Sequence, residues 1–103
     1  MVEEVDLDGN QLTALPDRIG QLTELKRLSL YNNRLASLPD WLWQLTHLSH
    51  LRHLDLRANK LAYLPASLAA LNHLEKLDLR WNKLASLPVW IGQLEERGCT
   101  VFI

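Results

Sequence analysis

The sequence predicts an α/β fold, namely a short right-handed solenoid with a curved parallel β-sheet on its concave side and short helices or 3₁₀ turns on its convex side. One pattern of apolar positions occurs four times within 103 residues. Each copy combines apolar residues two apart, which is strand spacing, with apolar residues three and four apart, which is helical spacing. A unit of this size has an apolar side but no interior of its own, so the copies must stack against one another.

The fourth unit illustrates the pattern, in the stretch LEKLDLRWNKLASLPVWIGQL. Leu77 and Leu79 have strand spacing, whereas Leu87, Ile91 and Leu94 have helical spacing. We expect all five side chains to be buried. One asparagine occupies the same phase in every unit, and these asparagines are Asn10, Asn33, Asn59 and Asn82.

The repeats divide the chain into units at about residues 2–24, 25–50, 51–73 and 74–97. A closing strand is expected at 99–103, and the whole of 1–103 is interpreted as one domain. The motif LxxLxLxxNxL resembles that of the leucine-rich repeat family. The continuation LPxxIGxL, present as LPDRIGQL and LPVWIGQL, resembles the intracellular bacterial and plant type. This resemblance implies a binding scaffold and names no ligand.

The first unit opens with a predicted strand centred on Val5 and Leu7, and no polar capping helix precedes it. The ends of a solenoid normally need a cap with a polar outer face, although acidic side chains on an edge strand discourage edge-to-edge pairing. This N-terminal edge is therefore interpreted either as a cut from a longer protein or as a contact surface.

Within each unit, the asparagine is predicted to be a buried amide that bonds to backbone groups at the turn after the strand. The proline six residues later fixes φ and favours the start of the outer helix. Three extra residues separate the second and third units, near 49–51. We interpret them as one more turn on an outer helix over about 40–50, or as a bulged loop.

The last ten residues depart from the pattern. Gly98 is the expected end of a helix, and the β-branched and aromatic residues that follow predict a fifth strand over 100–103. In that strand Val101 and Ile103 would match Leu77 and Leu79. This implies a parallel strand that closes the array.

Residues between the strand leucines should face outward on the concave sheet and form rows across the strands. The rows are Glu4, Arg27, His53 and Lys76, then Asp6, Ser29, Asp55 and Asp78, then Asp8, Tyr31, Arg57 and Arg80, with Asn32, Ala58 and Trp81 on the flank and Arg34, Lys60 and Lys83 beyond. Aromatic and arginine side chains carry much of the energy of protein interfaces. The residues expected to bind a protein or peptide partner are Arg27, Ser29, Tyr31, His53, Asp55, Arg57, Lys76, Asp78, Arg80 and Trp81. The alternative is a solvated face whose opposite charges neutralise one another across adjacent strands.

Three tryptophans, Trp41, Trp43 and Trp90, occupy outer positions that are polar or small in other units. They predict either an apolar convex patch for a homo-oligomer or second partner, or indoles packed on the edge of the core, which we favour. The four histidines are expected to be exposed, with His73 near His50, because a zinc site needs three or four convergent ligands.

Composition excludes several classes of function. The formal net charge of −1 gives no electrostatic reason to bind nucleic acid or a membrane surface. A single cysteine, Cys99, cannot form an internal disulfide, and the cysteine-rich caps that extracellular members of the leucine-rich repeat family usually carry are missing. The resemblance therefore implies a reducing, cytoplasmic location. Acidic residues interrupt the N-terminal stretch, so a signal peptide or membrane span is not expected.

No catalytic set emerges from the sequence. The glycines are scattered and form no phosphate loop, no GxSxG elbow occurs, and neither a cofactor nor a metal is expected. The leading hypothesis is a non-enzymatic protein-interaction module that uses its concave face. The alternative is a designed, consensus-like or excised scaffold with no evolved ligand. A third hypothesis is a protein that self-associates through the N-terminal edge or the Trp41, Trp43 and Trp90 face.

Overall fold

A computed structural model describes residues 1–39 and 48–103. In this part of the chain, five short parallel strands form one sheet whose spatial order follows the chain. The strands are β1 (Glu4–Asp6), β2 (Arg27–Ser29), β3 (His53–Asp55), β4 (Lys76–Asp78) and β5 (Thr100–Phe102). 3₁₀ helices span Asp17–Gln21 and Ala66–Ala70, and α1 spans Ile91–Glu96. The predicted right-handed solenoid with a concave parallel sheet is confirmed.

The register of the sheet aligns the leucines of the repeats into one buried seam. Residue pairs in register are Val5 with Leu28, Leu28 with Leu54, Leu54 with Leu77 and Leu77 with Val101. The second leucine of each strand pattern joins the same core, and no more than 2% of its surface is exposed at Leu30, Leu56 and Leu79. Stacking therefore supplies each unit with the interior that it lacks alone.

On the outer side, proline starts the two 3₁₀ helices as expected. Pro16 and Pro65 precede them with φ values of −62° and −69°. Each helix buries one apolar side chain, Ile19 or Leu68, against the core. These short helices cover the convex side of the leucine seam.

The expected helix over about 40–50 is wrong at its C-terminal end, because residues 48–50 form a turn. The Leu51 amide donates to the Leu48 carbonyl oxygen at 3.0 Å, as Leu25 does to Leu22 at 3.0 Å. Leu48 therefore takes the place of Leu22, and the three extra residues precede it. The rest of that segment, residues 40–47, lies outside the described part of the chain.

The asparagines form the predicted ladder. The Nδ2 group of Asn33 donates to the carbonyl oxygens of Leu30 and Leu7 at 3.0 Å each, and its Oδ1 accepts from the Leu12 amide at 3.0 Å. Asn59 repeats these bonds one unit later. Asn33 and Asn59 are buried as expected. Burial was wrong for the end units, because Asn10 is exposed and Asn82 is half-buried.

The residue before each of these asparagines has a left-handed backbone. The φ values are +69° at Gly9, +60° at Asn32, +55° at Ala58 and +62° at Trp81. Only glycine and, less readily, asparagine adopt this region without appreciable cost. Ala58 and Trp81 are therefore held there by the turn that the following asparagine closes.

Helix α1 ends at a glycine, as predicted. Gly98 has φ +93°, its amide donates to the Glu95 carbonyl oxygen at 3.0 Å, and the Cys99 amide donates to the Leu94 carbonyl oxygen at 3.0 Å. These two bonds make a Schellman motif. The motif turns the chain back toward the sheet and delivers β5 beside β4.

Two apolar side chains differ from the expectation. Leu87 is 47% exposed because α1 begins only at Ile91, so Leu87 lies in the loop before the helix rather than on its buried face. Ile103 follows β5 and is 63% exposed, unlike its counterpart Leu79. None of the helices within residues 1–39 and 48–103 could span a lipid bilayer.

Candidate partner-binding face

The concave surface of the sheet holds a shallow hollow of about 420 Å³. Its floor is made of the strand leucines, and its walls are the first two predicted rows. The outward-facing residues that line it are Glu4, Asp6, Arg27, Ser29, His53, Asp55, Lys76 and Asp78. Register pairs such as Arg27 with His53 and Ser29 with Asp55 show that these rows form as the repeat spacing predicted.

The structure brings the predicted site residues together in two groups. Six of the ten line the hollow, namely Arg27, Ser29, His53, Asp55, Lys76 and Asp78. The other four, Tyr31, Arg57, Arg80 and Trp81, follow the strands and lie beside the hollow, at the edge where the strands end. The predicted set is therefore one continuous surface. Whether a partner occupies it remains a prediction.

Asp78 is the most buried charged group on this surface, with 3% of its side chain exposed. Arg80 Nη2 lies 2.7 Å from Asp78 Oδ2, and Arg57 Nε lies 3.5 Å from the same oxygen. Burial by itself raises the pKa of Asp78, but the hydrogen bonds and charge of Arg80 and the charge of Arg57 outweigh it. The pKa of Asp78 is therefore below its usual value, and the carboxylate is held ionised.

Arg57 joins two strands. Its Nη2 donates to Asp55 Oδ2 at 2.7 Å, while its Nε reaches Asp78 on the next strand. The hydrogen bond to Asp55 is the main reason that the pKa of Arg57 is raised. The two carboxylates of neighbouring strands are thus neutralised by two arginines and are not a free acid pair of the kind that catalysis requires.

An aromatic cluster surrounds the same guanidinium. The ring centroids of Tyr31 and Trp81 are 6.3 Å apart, although these residues belong to the second and fourth units. Arg57 Cζ lies 4.7 Å from the centroid of the Tyr31 ring and 6.0 Å from that of Trp81. The left-handed turn at Trp81 leaves 63% of this residue exposed. An exposed indole beside a fixed guanidinium is typical of protein-interface hot spots.

His53 lines the hollow and is half-buried, so the expectation that it would be exposed was wrong. Its Nε2 is 3.7 Å from Glu75 Oε1. Burial and the positive charge of Arg27 lower the pKa of His53 below 6.5, and Glu75 opposes this only in part. The imidazole is therefore mainly neutral at pH 7.

Sequence reasoning missed Phe102 as part of this face. Phe102 is in register with Asp78 and therefore extends the second row. Its ring centroid lies 5.0 Å from Arg80 Cζ and 5.3 Å from Lys76 Nζ. The sequence contained the information needed to include Phe102, because matching Val101 to Leu77 places Phe102 opposite Asp78. Glu4 and Asp6, which were assigned to the rows but not to the site, also line the hollow.

The remaining candidates lie away from this face. His50 and His73 stack with their ring centroids 6.1 Å apart, as predicted for neighbouring units. Over residues 1–39 and 48–103, no three histidine, cysteine or carboxylate side chains converge to hold a metal. Trp90 is partly buried against the core, as favoured. Trp41, Trp43 and His47 lie outside the described residues.

Cys99 packs rather than reacts. It is 4% exposed and belongs to the core, and burial raises the pKa of its thiol. A protonated, enclosed thiol is a poor nucleophile. This agrees with its expected place beside the closing strand.

Comparison with known proteins agrees with the repeat geometry. A family model described as leucine rich repeat matches residues 2–52 and 44–84. A solved structure of the Leptospira interrogans LRR protein LIC12759 is similar over 99% of this chain, with 34% sequence identity and a TM-score of 0.81. This chain spans 25% of the length of that protein. A search of curated protein sequences gave no match.

The family match covers most of the chain, and it agrees with the aligned leucine seam, the asparagine ladder and the sequential parallel sheet. The chain belongs to the leucine-rich repeat family.

Proposed function

We propose that this chain is a non-enzymatic interaction module that binds a protein or peptide through its concave face. Members of the leucine-rich repeat family are generally protein-interaction modules, and this fold typically carries no catalysis. The observation that best supports the proposal is the cluster of half-buried Tyr31 and Arg57 with exposed Trp81, beside a hollow that four strands line.

The contact surface that we propose contains Arg27, Ser29, Tyr31, His53, Asp55, Arg57, Lys76, Asp78, Arg80 and Trp81. Its fixed part is the network of Asp55, Asp78, Arg57 and Arg80, whose side chains are already ordered by hydrogen bonds of 2.7–2.9 Å. Ordered side chains lose little conformational entropy on binding. Energetically, Tyr31 and Trp81 should be the anchors.

Capture of partners tests this function. Immobilised wild-type protein is compared with a Tyr31→Ala/Trp81→Ala variant and with a Tyr63→Ala/Val89→Ala control. The control residues are 76% and 94% exposed and lie outside both the hollow and the cluster. We expect at least one protein that the wild type and the control retain and the cluster variant loses. If the cluster variant captures the same proteins as the wild type, the concave-face function is wrong.

A second candidate function is self-association through the N-terminal edge. Strand β1 forms one edge of the sheet, and Met1 and Val2 beside it are 95% and 46% exposed. Open strand edges are templates for pairing with another chain. Light scattering over a concentration series tests it, and a mass that stays monomeric at the highest concentration contradicts it.

We also place the module in a reducing compartment such as the cytoplasm, because its single thiol has no disulfide partner within the chain.

A further inference from the structure

A row of three cations runs along the edge where the strands end. Arg34, Lys60 and Lys83 each follow one of the ladder asparagines, and all three are exposed. Their backbone amides donate to Leu12, Leu35 and Leu61 of the preceding units at 2.8, 2.9 and 3.1 Å, respectively. This repeated bond places the three residues at equivalent points of consecutive units. We call Arg34, Lys60 and Lys83 the cationic rim.

The cationic rim differs from the arginines of the concave face because it lacks counter-charges. Arg57 and Arg80 are neutralised by Asp55 and Asp78, and Arg27 lies 3.4 Å from Glu4. Among residues 1–39 and 48–103, the side chains of the rim form neither ion pairs nor hydrogen bonds with other side chains. Three like charges in line with no internal partner favour an external anionic one.

Aromatic side chains lie close to the rim in sequence. Tyr31 precedes Arg34 by three residues, and Trp81 precedes Lys83 by two. Their rings contact each other over the third unit, whose own rim residue is Lys60. A ligand that pairs with the rim would therefore also meet exposed aromatic surface, which stacks on peptide groups and apolar side chains.

We propose that the cationic rim binds an acidic, extended segment of a polypeptide partner that runs across the strands from unit to unit. This inference rests on the proposed function and adds the chemistry of the partner. Strands in a sheet are about 4.8 Å apart, and every second side chain of an extended peptide lies about 7 Å apart on one side. The long, flexible lysine and arginine side chains can span that difference.

Nucleic acid fits the same rim less well. Binding to a phosphate backbone depends on neutralising many phosphates, and here only three free cations stand in line. The corresponding residue of the first unit is the neutral Gln11, and the acidic Asp6 and Asp8 lie nearby in that unit. A phosphate chain continuing past the rim would meet these carboxylates. A peptide, by contrast, can carry acidic side chains only where the rim lies.

Fluorescence anisotropy with defined ligands tests the proposal. The ligands are a fluorescein-labelled peptide of alternating glutamate and serine, its glutamine analogue and a single-stranded oligothymidine of similar length. The rim variant is Arg34→Gln/Lys60→Gln/Lys83→Gln. The matched control is Arg18→Gln/Lys26→Gln/Arg52→Gln, which lowers the net charge equally but alters none of the rim residues. Circular dichroism confirms that both variants are folded.

We expect the wild type and the control to prefer the glutamate peptide over its glutamine analogue. The rim variant should bind the glutamate peptide about tenfold more weakly, because it loses three solvent-screened ion pairs. Equal losses in the rim variant and the control, no binding of the glutamate peptide by the wild type, or tighter binding of oligothymidine would each overturn the proposal.

Failure of this inference can be distinguished from failure of the proposed function. If the rim variant still captures a partner that the Tyr31→Ala/Trp81→Ala variant loses, the acidic-segment inference is wrong and the concave-face function stands.

Discussion

The Nδ2 group of Asn59 donates to the carbonyl oxygen of Leu30 at 2.9 Å, across the boundary between two repeats. Both residues are buried. The same amide group also bonds to Leu56 within its own unit at 3.1 Å. One side chain therefore satisfies backbone groups of two units at once and fixes how they stack.

Replacement of Asn59 should be costly. In Asn59→Ala, the amide of Leu35 and the carbonyl oxygens of Leu30 and Leu56 lose their side-chain partner. We expect a loss of about 2–4 kcal/mol in the free energy of unfolding, because each unsatisfied buried group costs about 1–3 kcal/mol. Urea melts measure it. Asn10→Ala is the control, since Asn10 is exposed, and a loss as large there would contradict the role of burial.

Truncation of an interior leucine should also be costly. Leu56 is fully buried, so Leu56→Ala should lower the free energy of unfolding by about 2–5 kcal/mol. Leu87→Ala should cost less than about 1 kcal/mol because Leu87 is 47% exposed. Urea denaturation distinguishes the two. A loss under about 1 kcal/mol for Leu56→Ala would be inconsistent with the leucine seam.

The buried Asp78 carboxylate should make the free energy of unfolding depend on pH in the acidic range. The folded pKa of Asp78 is below its ordinary value of 3.8, so the unfolded chain binds the proton more readily. The contribution of the Asp78 carboxylate to the free energy of unfolding is therefore complete above about pH 5, and it is lost as the pH falls through 3.8 and below. Asp78→Asn should reduce stability at pH 7 by about 1–3 kcal/mol.

Chemical denaturation from pH 2.5 to 7 checks this dependence. The difference in unfolding free energy between wild type and Asp78→Asn should shrink in acid. Asp17→Asn, on the outer 3₁₀ helix, is the control for the loss of a carboxylate elsewhere. A difference that is the same at every pH would contradict the role given to the Arg80 and Arg57 pairing.

His53 should affect the stability of the fold in a higher pH range than Asp78 does. Because its folded pKa is lowered from 6.5, protonation favours the unfolded chain, and stability should decrease as the pH falls through 6.5 toward the folded pKa. His53→Gln should flatten the stability profile in this range. NMR titration of the His53 ring gives a direct check, and an apparent pKa above 6.5 would show that Glu75 outweighs burial and Arg27.

Ala58 offers a stabilising substitution. Its φ of +55° disfavours any residue with a Cβ atom, so Ala58→Gly should raise the free energy of unfolding by up to about 1 kcal/mol. Ala85→Gly, where the backbone is not left-handed, should lower it by about 0.5–1 kcal/mol. Thermal melts compare the two variants. A loss of stability in both would show that the Ala58 methyl group contributes more through packing than it costs through strain.

The repeat period accounts for how much of this structure the sequence could predict. Once the leucines and asparagines are aligned, the strands, their order and the rows that line the hollow follow from the two-residue alternation of a strand. The Asn33 and Asn59 ladder follows from the same alignment. The concave rows could therefore be assigned without coordinates.

The missed features depend on local backbone geometry. Leu87 has helical spacing to Ile91, yet the helix begins only at Ile91, and periodicity does not reveal such a boundary. Tertiary contacts determine the left-handed turn that exposes Trp81. They also determine the ion pair of Arg57 with Asp78 on the next strand. The pattern of a single sequence predicts neither feature.

The strictly sequential order of the strands has a consequence for how the molecule loses its structure. Each strand pairs only with the units just before and after it along the chain, so disorder that starts at either end can advance one unit at a time. Hydrogen exchange should then be slowest in β3 and become progressively faster toward β1 and β5.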